Sequence, residues 1–240
     1  MLLLFFVWRP LLIANKDRLL GGSNVLEVYL FVNPLGARCM RSERNIMKLA
    51  DHLNSKVSFQ FVPLLNQQII EQALPKRPTL AERNAYFGVY YQAILAYKAA
   101  LFQGKRKGRD FLLNMQTAVV NHHESFSQEL ALELAKDCRL DLDMFNEDCQ
   151  SDLAKQAFKT DQKLAAEMKI QQSSSAVIFN CDVSQYGLLL NDVTYDSLCD
   201  VCESQGVATK EMLMGELNYP TNDQTPSSLT GGLHPHLRVL

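Results

Sequence analysis

The segment "FVNPLGARCM", residues 31–40, holds the residues whose types and spacing most suggest chemistry. An apolar run typical of a β-strand leads into it and a helical pattern follows, so we expect Cys39 in the first turn of a helix. Orphan N–H groups and the dipole at that end of a helix favour a thiolate. A dithiol redox site has the pattern C-x-x-C, but here the first position is Gly36. The segment is therefore either a degenerate redox site or a loop that carries a buried thiol.

The elements around this turn predict a parallel βαβ unit. "LEVYLFV", residues 26–32, is apolar at nearly every position, as expected for a central strand covered on both faces. Helical spacing of apolar residues follows over 40–54, and alternation predicts a second strand over 56–65. Two strands joined by a helix within about 40 residues indicate an α/β fold.

The middle of the chain is predicted to be helical. Periodicity predicts five helices, over 83–103, 109–120, 127–138, 141–150 and 152–170, and Ser127 is a good N-cap residue for the third. The basic stretch "GKRKGR", 104–109, reads as a solvated loop between two helices. The alternatives for this stretch are binding of phosphate or of an acidic partner, although it lacks the spacing of a P-loop.

Strands return after the helical block, over 175–180 and 187–192, and a last helix covers 194–205. In the helix predicted over 83–103, apolar and aromatic residues recur with helical period and form a stripe, Tyr86, Phe87, Tyr90, Tyr91, Ile94 and Tyr97. We expect most of this stripe in the core, although the excess of tyrosine leaves room for a partner surface.

These patterns divide the chain into a split α/β domain with an insertion. Residues 25–65 and 171–205 are predicted to form the α/β domain, and residues 66–170 the inserted helical domain. The tail 218–240 is rich in proline and glycine and is expected to be flexible.

Residues 1–24 are expected to be an N-terminal extension that is poorly ordered or non-native. The alternatives are a packed or surface-lying segment, or a role in secretion or anchoring. The apolar run has no positive region before it, and Arg9-Pro10 breaks it before it could span a bilayer.

Composition narrows the function classes. The chain has 240 residues and a net charge of -2, which does not favour a nucleic-acid partner. Six cysteines are too few for a disulfide scaffold, and their patterns are typical of an intracellular, reduced protein.

A second thiol pair lies far from the turn in sequence. Cys199 and Cys202 form a true C-x-x-C, but within the predicted last helix. Their spacing places both thiols on one helix face, which would suit packed cysteines, a redox sensor or half of a metal site. A metal site needs two more ligands, and only Cys181 is a candidate third, so we predict no bound metal.

Three segments, taken in order, resemble a known family. "LEVYLFVNPLGARC", "AYKAALFQGKRKGRDFLLNMQ" at 96–116, and "DQKLAAEMKI" followed by "SSSAVIFN" are similar to the YjbH/SpxH branch of the DsbA-like proteins of Gram-positive bacteria. The resemblance runs from about Leu26 to Cys202. It implies a thioredoxin-like fold with an inserted helical domain.

The resemblance also implies a function. Proteins of this branch are cytoplasmic adaptors that bind the stress transcription regulator Spx and present it to the ClpXP protease. For this chain that implies protein partners, with no cofactor, nucleic acid or membrane. The candidate contact surfaces are the groove around the turn, near Pro34 to Arg38, and the helical block.

Mapped onto the thioredoxin-type site, the turn is incomplete. There the first cysteine attacks a substrate disulfide and the second resolves the mixed disulfide. Gly36 holds the attacking position, Ala37 and Arg38 follow, and Cys39 holds the resolving position. The alignment places Ser174 where the family has a cis-proline that helps to bind the substrate peptide, so the peptide clamp is altered too.

The resemblance and the altered site together predict a redox-inactive adaptor. The main alternative is a thiol-disulfide oxidoreductase or isomerase, which would need Cys39 or the Cys199/Cys202 pair as nucleophile. A kappa-type glutathione transferase is a third class with this fold, but it would need a hydroxyl at the position of Gly36. A remaining alternative for Cys39 is a regulatory thiol that forms mixed disulfides under stress.

Overall fold

The sheet has five strands among the residues that the computed structural model describes, which are 5–8, 26–53, 57–74, 77–181 and 186–215. The strands are β1 (Phe5–Trp8), β2 (Leu26–Val32), β3 (Val57–Pro63), β4 (Ser175–Asn180) and β5 (Tyr186–Leu190). Their order across the sheet is β1-β5-β4-β2-β3. Only the β2–β3 pair is parallel within this described sheet; the other neighbours are antiparallel.

The described helices fall into three groups. The helix α1 (Ala37–His52) joins β2 to β3. The helical block between β3 and β4 contains α2 (Gln67–Ala73), α3 (Leu80–Phe102), α4 (Lys105–Gln116), α5 (Gln128–Asp137), α6 (Leu142–Gln150) and α7 (Asp152–Glu167). After β5 come α8 (Tyr195–Ser204) and α9 (Lys210–Gly215). The predicted α/β fold with a helical insertion between its two halves is confirmed.

Strand β2 lies at the centre of the core, as its apolar sequence predicts. All seven of its residues are buried. Because side chains alternate along a strand, Val28 and Leu30 pack on the face that α1 and α8 cover, whereas Tyr29 and Phe31 pack on the opposite face. The helical block contributes to both layers, so it is part of the core and not an appendage.

The prediction of a loop over residues 104–109 is wrong. Gly104 has φ 123°, a conformation that favours glycine, and it lies between the end of α3 and the start of α4. Lys105 therefore already lies in α4. The short helices α2 and α9 were not predicted, whereas the Ser127 hydroxyl accepts a hydrogen bond from the Leu130 N–H at 3.2 Å and caps α5 as predicted.

Part of the N-terminal extension contributes to the sheet. Residues Phe5–Trp8 form β1, which pairs antiparallel with β5 and places Phe5 opposite Leu189. The remaining residues of the predicted extension, 1–4 and 9–24, and the predicted tail 218–240 lie outside the described residues.

Helices α3 and α4 approach closely at Gly108, which is buried. A Cβ atom at this position would lie 2.5 Å from Leu101 Cδ2 and 2.9 Å from Leu101 Cα. Since one of these atoms belongs to the backbone, a rotamer change of Leu101 alone could not relieve the overlap.

We therefore expect Gly108→Ala to lower the free energy of unfolding by about 2 kcal/mol through overpacking. Gly88→Ala is the matched control, because no described atom lies within 4 Å of the Cβ position at this helical glycine. The control should instead raise stability by about 1 kcal/mol through helix propensity. Urea denaturation of both variants measures the difference, and equal effects would contradict the close α3–α4 contact.

Candidate functional site

Asn33 organises the turn between β2 and α1. Its Oδ1 accepts a hydrogen bond from the Leu35 N–H at 3.0 Å, and its carbonyl accepts one from the Gly36 N–H at 3.0 Å. Gly36 is the N-cap residue of α1, with φ −104°. A Cβ there would lie 3.3 Å from the Asn33 side chain, which a small shift could relieve. The backbone conformation therefore does not require glycine at the position where a dithiol site has its nucleophile.

Cys39 lies behind this turn, with 1% of its surface exposed. Burial raises the pKa of its thiol to about 11, and this effect outweighs the hydrogen bond that the Asn33 N–H donates to Sγ at 3.1 Å. The nearby Glu43 carboxyl also raises this pKa. At neutral pH the raised pKa favours the protonated thiol of Cys39, and burial keeps this thiol away from solvent.

The loop before β4 packs directly against the turn. The Ser174 N–H donates to the Phe31 carbonyl at 2.7 Å, and the Ser174 hydroxyl shares a 2.7 Å hydrogen bond with the Ser42 hydroxyl of α1. Ser173 and Ser174 both lie close enough to Cys39 to influence its thiol. The fold thus brings Gly36, Cys39 and the Ser174 loop together. Because the Ser174 N–H is already paired and the residue is 2% exposed, it is not available to a bound peptide.

A buried polar pair lies beneath the turn and was not identified from the sequence. Glu43, one helical turn after Cys39, and Gln116 of α4 are fully buried, and Gln116 Nε2 donates to Glu43 Oε1 at 2.7 Å. Among the described residues, Glu43 Oε2 and Gln116 Oε1 have no hydrogen-bond partner. Burial raises the pKa of Glu43 to about 8, although the Gln116 amide and the Arg44 charge oppose this.

One proton would satisfy both unpaired atoms. A carboxylic acid can donate through its O–H while its other oxygen accepts, and an amide offers the matching acceptor and donor. A proton on Glu43 Oε2 would therefore complete a two-hydrogen-bond pair with Gln116. The i, i+4 spacing of Cys39 and Glu43 on the apolar face of α1 was the signal that could have identified this residue.

The second thiol pair lies elsewhere. Cys199 and Cys202 are buried on α8. Burial is the main cause that raises the pKa of both thiols, and it raises the pKa of Cys202 to about 12. All six cysteines are free. No group of three or more His, Cys, Asp or Glu side chains is placed to hold a metal ion in the described part of the chain.

The aromatic stripe of α3 is divided between core and surface. Tyr90, Ile94 and Tyr97 are buried, as expected, but Tyr86 is 39% and Phe87 is 50% exposed. Tyr86 stacks on Tyr90 with ring centroids 6.4 Å apart, and Tyr90 reaches Asn33 of the turn. We call Tyr86, Phe87 and the exposed Val89 the aromatic patch. Tyr86 connects it to the turn through Tyr90, whereas Phe87 stacks on Tyr91, which contacts Phe158 of α7.

Fold and site together define a protein of the thioredoxin class, with Gly36 as the N-cap residue of α1 and Cys39 in its first turn. A family model described as Thioredoxin matches residues 29–201, and the chain belongs to this family.

Solved structures place the fold within the DsbA-like group, as predicted. BdbD from Bacillus subtilis, in its oxidised form, superposes with a TM-score of 0.59 at 13% identity, covering 84% of this chain and 97% of that one. The DsbA variant E82I from Pseudomonas aeruginosa gives a TM-score of 0.55 at 13% identity, covering 79% of this chain and 91% of that one.

Curated relatives carry the more specific resemblance. The ClpXP adapter protein SpxH of Bacillus subtilis is 30% identical over 184 residues, which cover 68% of this chain and 61% of that protein. SpxH of Staphylococcus haemolyticus is 28% identical over 176 residues, covering 73% and 63%. The chain thus spans about three fifths of the length of these relatives. The predicted resemblance to the SpxH branch is confirmed, and none of the described helices is long and apolar enough to cross a membrane.

Cys39 should react slowly with thiol reagents. A pKa of about 11, raised from 9.0, lowers the thiolate fraction at neutral pH roughly 100-fold, and burial restricts access further. We expect iodoacetamide to modify Cys39 at least about 100-fold more slowly than the introduced thiol of Gly36→Cys, kept reduced with a phosphine. Peptide mass spectrometry gives both rates, and comparable rates would show that Cys39 is accessible and activated.

Glu43 should make stability depend on pH. Its pKa is raised from 4.5 to about 8 on folding, so the folded protein holds an extra proton between these values, and stability falls as pH rises through this interval. We expect this group to contribute a slope of up to about 1.4 kcal/mol per pH unit, which Glu43→Gln removes because its amide can donate to Gln116 at any pH. Glu147→Gln, at an exposed position on α6, is the control and should keep the slope. Urea denaturation at several pH values provides the measurement, and an unchanged slope in Glu43→Gln would mean that Glu43 is ionised in the folded protein.

Proposed function

We propose that this chain is a cytoplasmic adaptor that binds an Spx-type transcription regulator and promotes its degradation by ClpXP, without disulfide chemistry. The observation that carries this proposal is the turn, where Gly36 supplies no thiol and Cys39 is buried and protonated. The relatives named ClpXP adapter protein SpxH support the choice of partners. The fold then serves to bind a client, and this function does not require a nucleophile.

The aromatic patch is the surface we propose for the client. Large aromatic side chains are enriched at protein contacts and supply many of their strongest interactions. Phe87 is half exposed. Tyr86 stacks on Tyr90, and Tyr90 reaches Asn33 of the turn. A client seated on α3 would therefore also reach the groove near Pro34 to Arg38.

The proposal is tested by following loss of a purified Spx-type regulator in the presence of ClpXP, with and without this chain. We expect the chain to accelerate degradation and Cys39→Ala to act equally well, because the thiol has no chemical role. Phe87→Ser should reduce the acceleration about tenfold by removing a contact residue. Met212→Ser is the matched control, since Met212 is 68% exposed on α9, which packs against α8 and not among the patch residues, and should have no effect.

The same preparation distinguishes the oxidoreductase alternative. If the chain leaves the regulator intact under ClpXP but reduces the disulfides of insulin, the adaptor proposal is wrong and a thiol pair such as Cys199 and Cys202 carries an activity. If degradation is accelerated but Phe87→Ser and Met212→Ser act alike, the adaptor role stands and the client binds elsewhere.

A further inference from the structure

The outer edge of β3 is only half covered. Since β3 is parallel to β2, alternate residues direct their backbone groups toward β2 and the others direct theirs outward. Phe61 and Pro63 belong to the outward set: the Tyr97 hydroxyl donates to the Phe61 carbonyl at 3.3 Å and Gln162 Nε2 donates to the Pro63 carbonyl at 2.9 Å. Side chains of α3 and α7 thus cover the carboxyl-terminal half of this edge.

The amino-terminal half of the edge faces a groove. Val57 and Phe59 share the outward orientation of Phe61, and no hydrogen bond from another described residue reaches their outward backbone groups. The groove has a volume of about 630 Å³ and is bounded by β3, by α3 and α4, and by α7. Exposed strand edges are usually protected because they accept further strands. On β3, side chains of other elements pair with the edge at Phe61 and Pro63 but not at Val57 and Phe59 among the described residues.

The unpaired charges of the groove are positive. Its carboxylates have partners: Asp161 forms a buried ion pair with Lys98, Glu167 lies 3.9 Å from Lys163 Nζ, and Glu27 accepts from the Tyr29 hydroxyl at 3.4 Å.

In contrast, Lys105 and Arg109 line the groove with no carboxylate within salt-bridge distance among the described residues. The Arg109 guanidinium lies over the Phe59 ring, 5.0 Å from its centroid, and so stands next to the open edge. An occupant with negative side chains would complement these two cations.

From the uncovered edge and its two unpaired cations we infer a second interaction surface. We propose that an extended acidic segment of a partner protein adds as a strand to β3: its backbone pairs with Val57 and Phe59, and its carboxylates contact Lys105 and Arg109. In strand addition the main-chain hydrogen bonds give affinity and the flanking side chains give selectivity. The surface is separate from the aromatic patch, so its test does not depend on the proposed adaptor role.

The test is fluorescence anisotropy of the full chain with a labelled peptide that alternates glutamate and valine. We expect binding that Lys105→Glu weakens about tenfold, because it replaces attraction with repulsion. Arg106→Glu is the matched control: it makes the same charge change at the adjacent exposed position, which does not line the groove, and should have little effect. No binding at millimolar peptide, or equal loss in both variants, would overturn the proposal.

Two N-methylated peptides separate strand addition from simple charge attraction. One peptide is N-methylated at its odd-numbered residues, which blocks the N–H groups along one edge of the extended strand. The other is N-methylated at its even-numbered residues, which blocks the opposite edge. Because an added strand pairs through one edge only, one of the two peptides should lose binding and the other should retain it. Equal binding by both peptides would mean that charge alone holds the acidic segment, and the proposed strand pairing would be wrong.

Discussion

Removal of water from the inner face of α1 is the constraint on which the site depends. Cys39 and Glu43 lie one helical turn apart on this face, and neither reaches solvent. Desolvation disfavours the charged form of both groups, and the Glu43 carboxyl raises the pKa of the Cys39 thiol further. Both groups therefore favour their neutral forms near pH 7. The same packing that secures α1 to the sheet thus lowers the thiolate fraction of Cys39.

Helix α3 extends this core into the insertion. Its carboxyl-terminal part packs in both hydrophobic layers, with Ala93 and Tyr97 in one and Tyr90 and Ile94 in the other. A helix buried on several sides needs apolar residues around its circumference, which explains why this part lacks a clear polar stripe. The amino-terminal part is largely exposed, and the same aromatic composition is exposed there. One continuous sequence pattern thus yields buried residues at one end of α3 and exposed aromatic residues at the other.

The contrast between predicted and observed features follows the range of the interactions involved. Local signals predicted β2, the cap at Ser127 and the position of Cys39 in the first turn of α1, because each depends on residues close in sequence. The position of Glu43 on the inner face of α1 had a local signal, but its pairing with Gln116 could not be predicted, since Gln116 lies 73 residues away on α4. The loop predicted over 104–109 failed for a local reason, because a single Gly104 with positive φ suffices to turn the chain between two helices. The exposure of Phe87 depends on which other elements pack around the first half of α3. The periodicity of the α3 sequence does not encode this packing.

The placement of the two proposed surfaces follows from the direction of the parallel strands. The turn and the aromatic patch lie where β2 ends, whereas the groove lies along the beginning of β3. Helix α3 spans the distance between them, since 23 residues extend about 34 Å at 1.5 Å per residue. The buried Lys98–Asp161 ion pair, at the groove, joins this helix to α7. Under the two proposals the contact surfaces would not overlap, because α3 carries one of them near each of its ends.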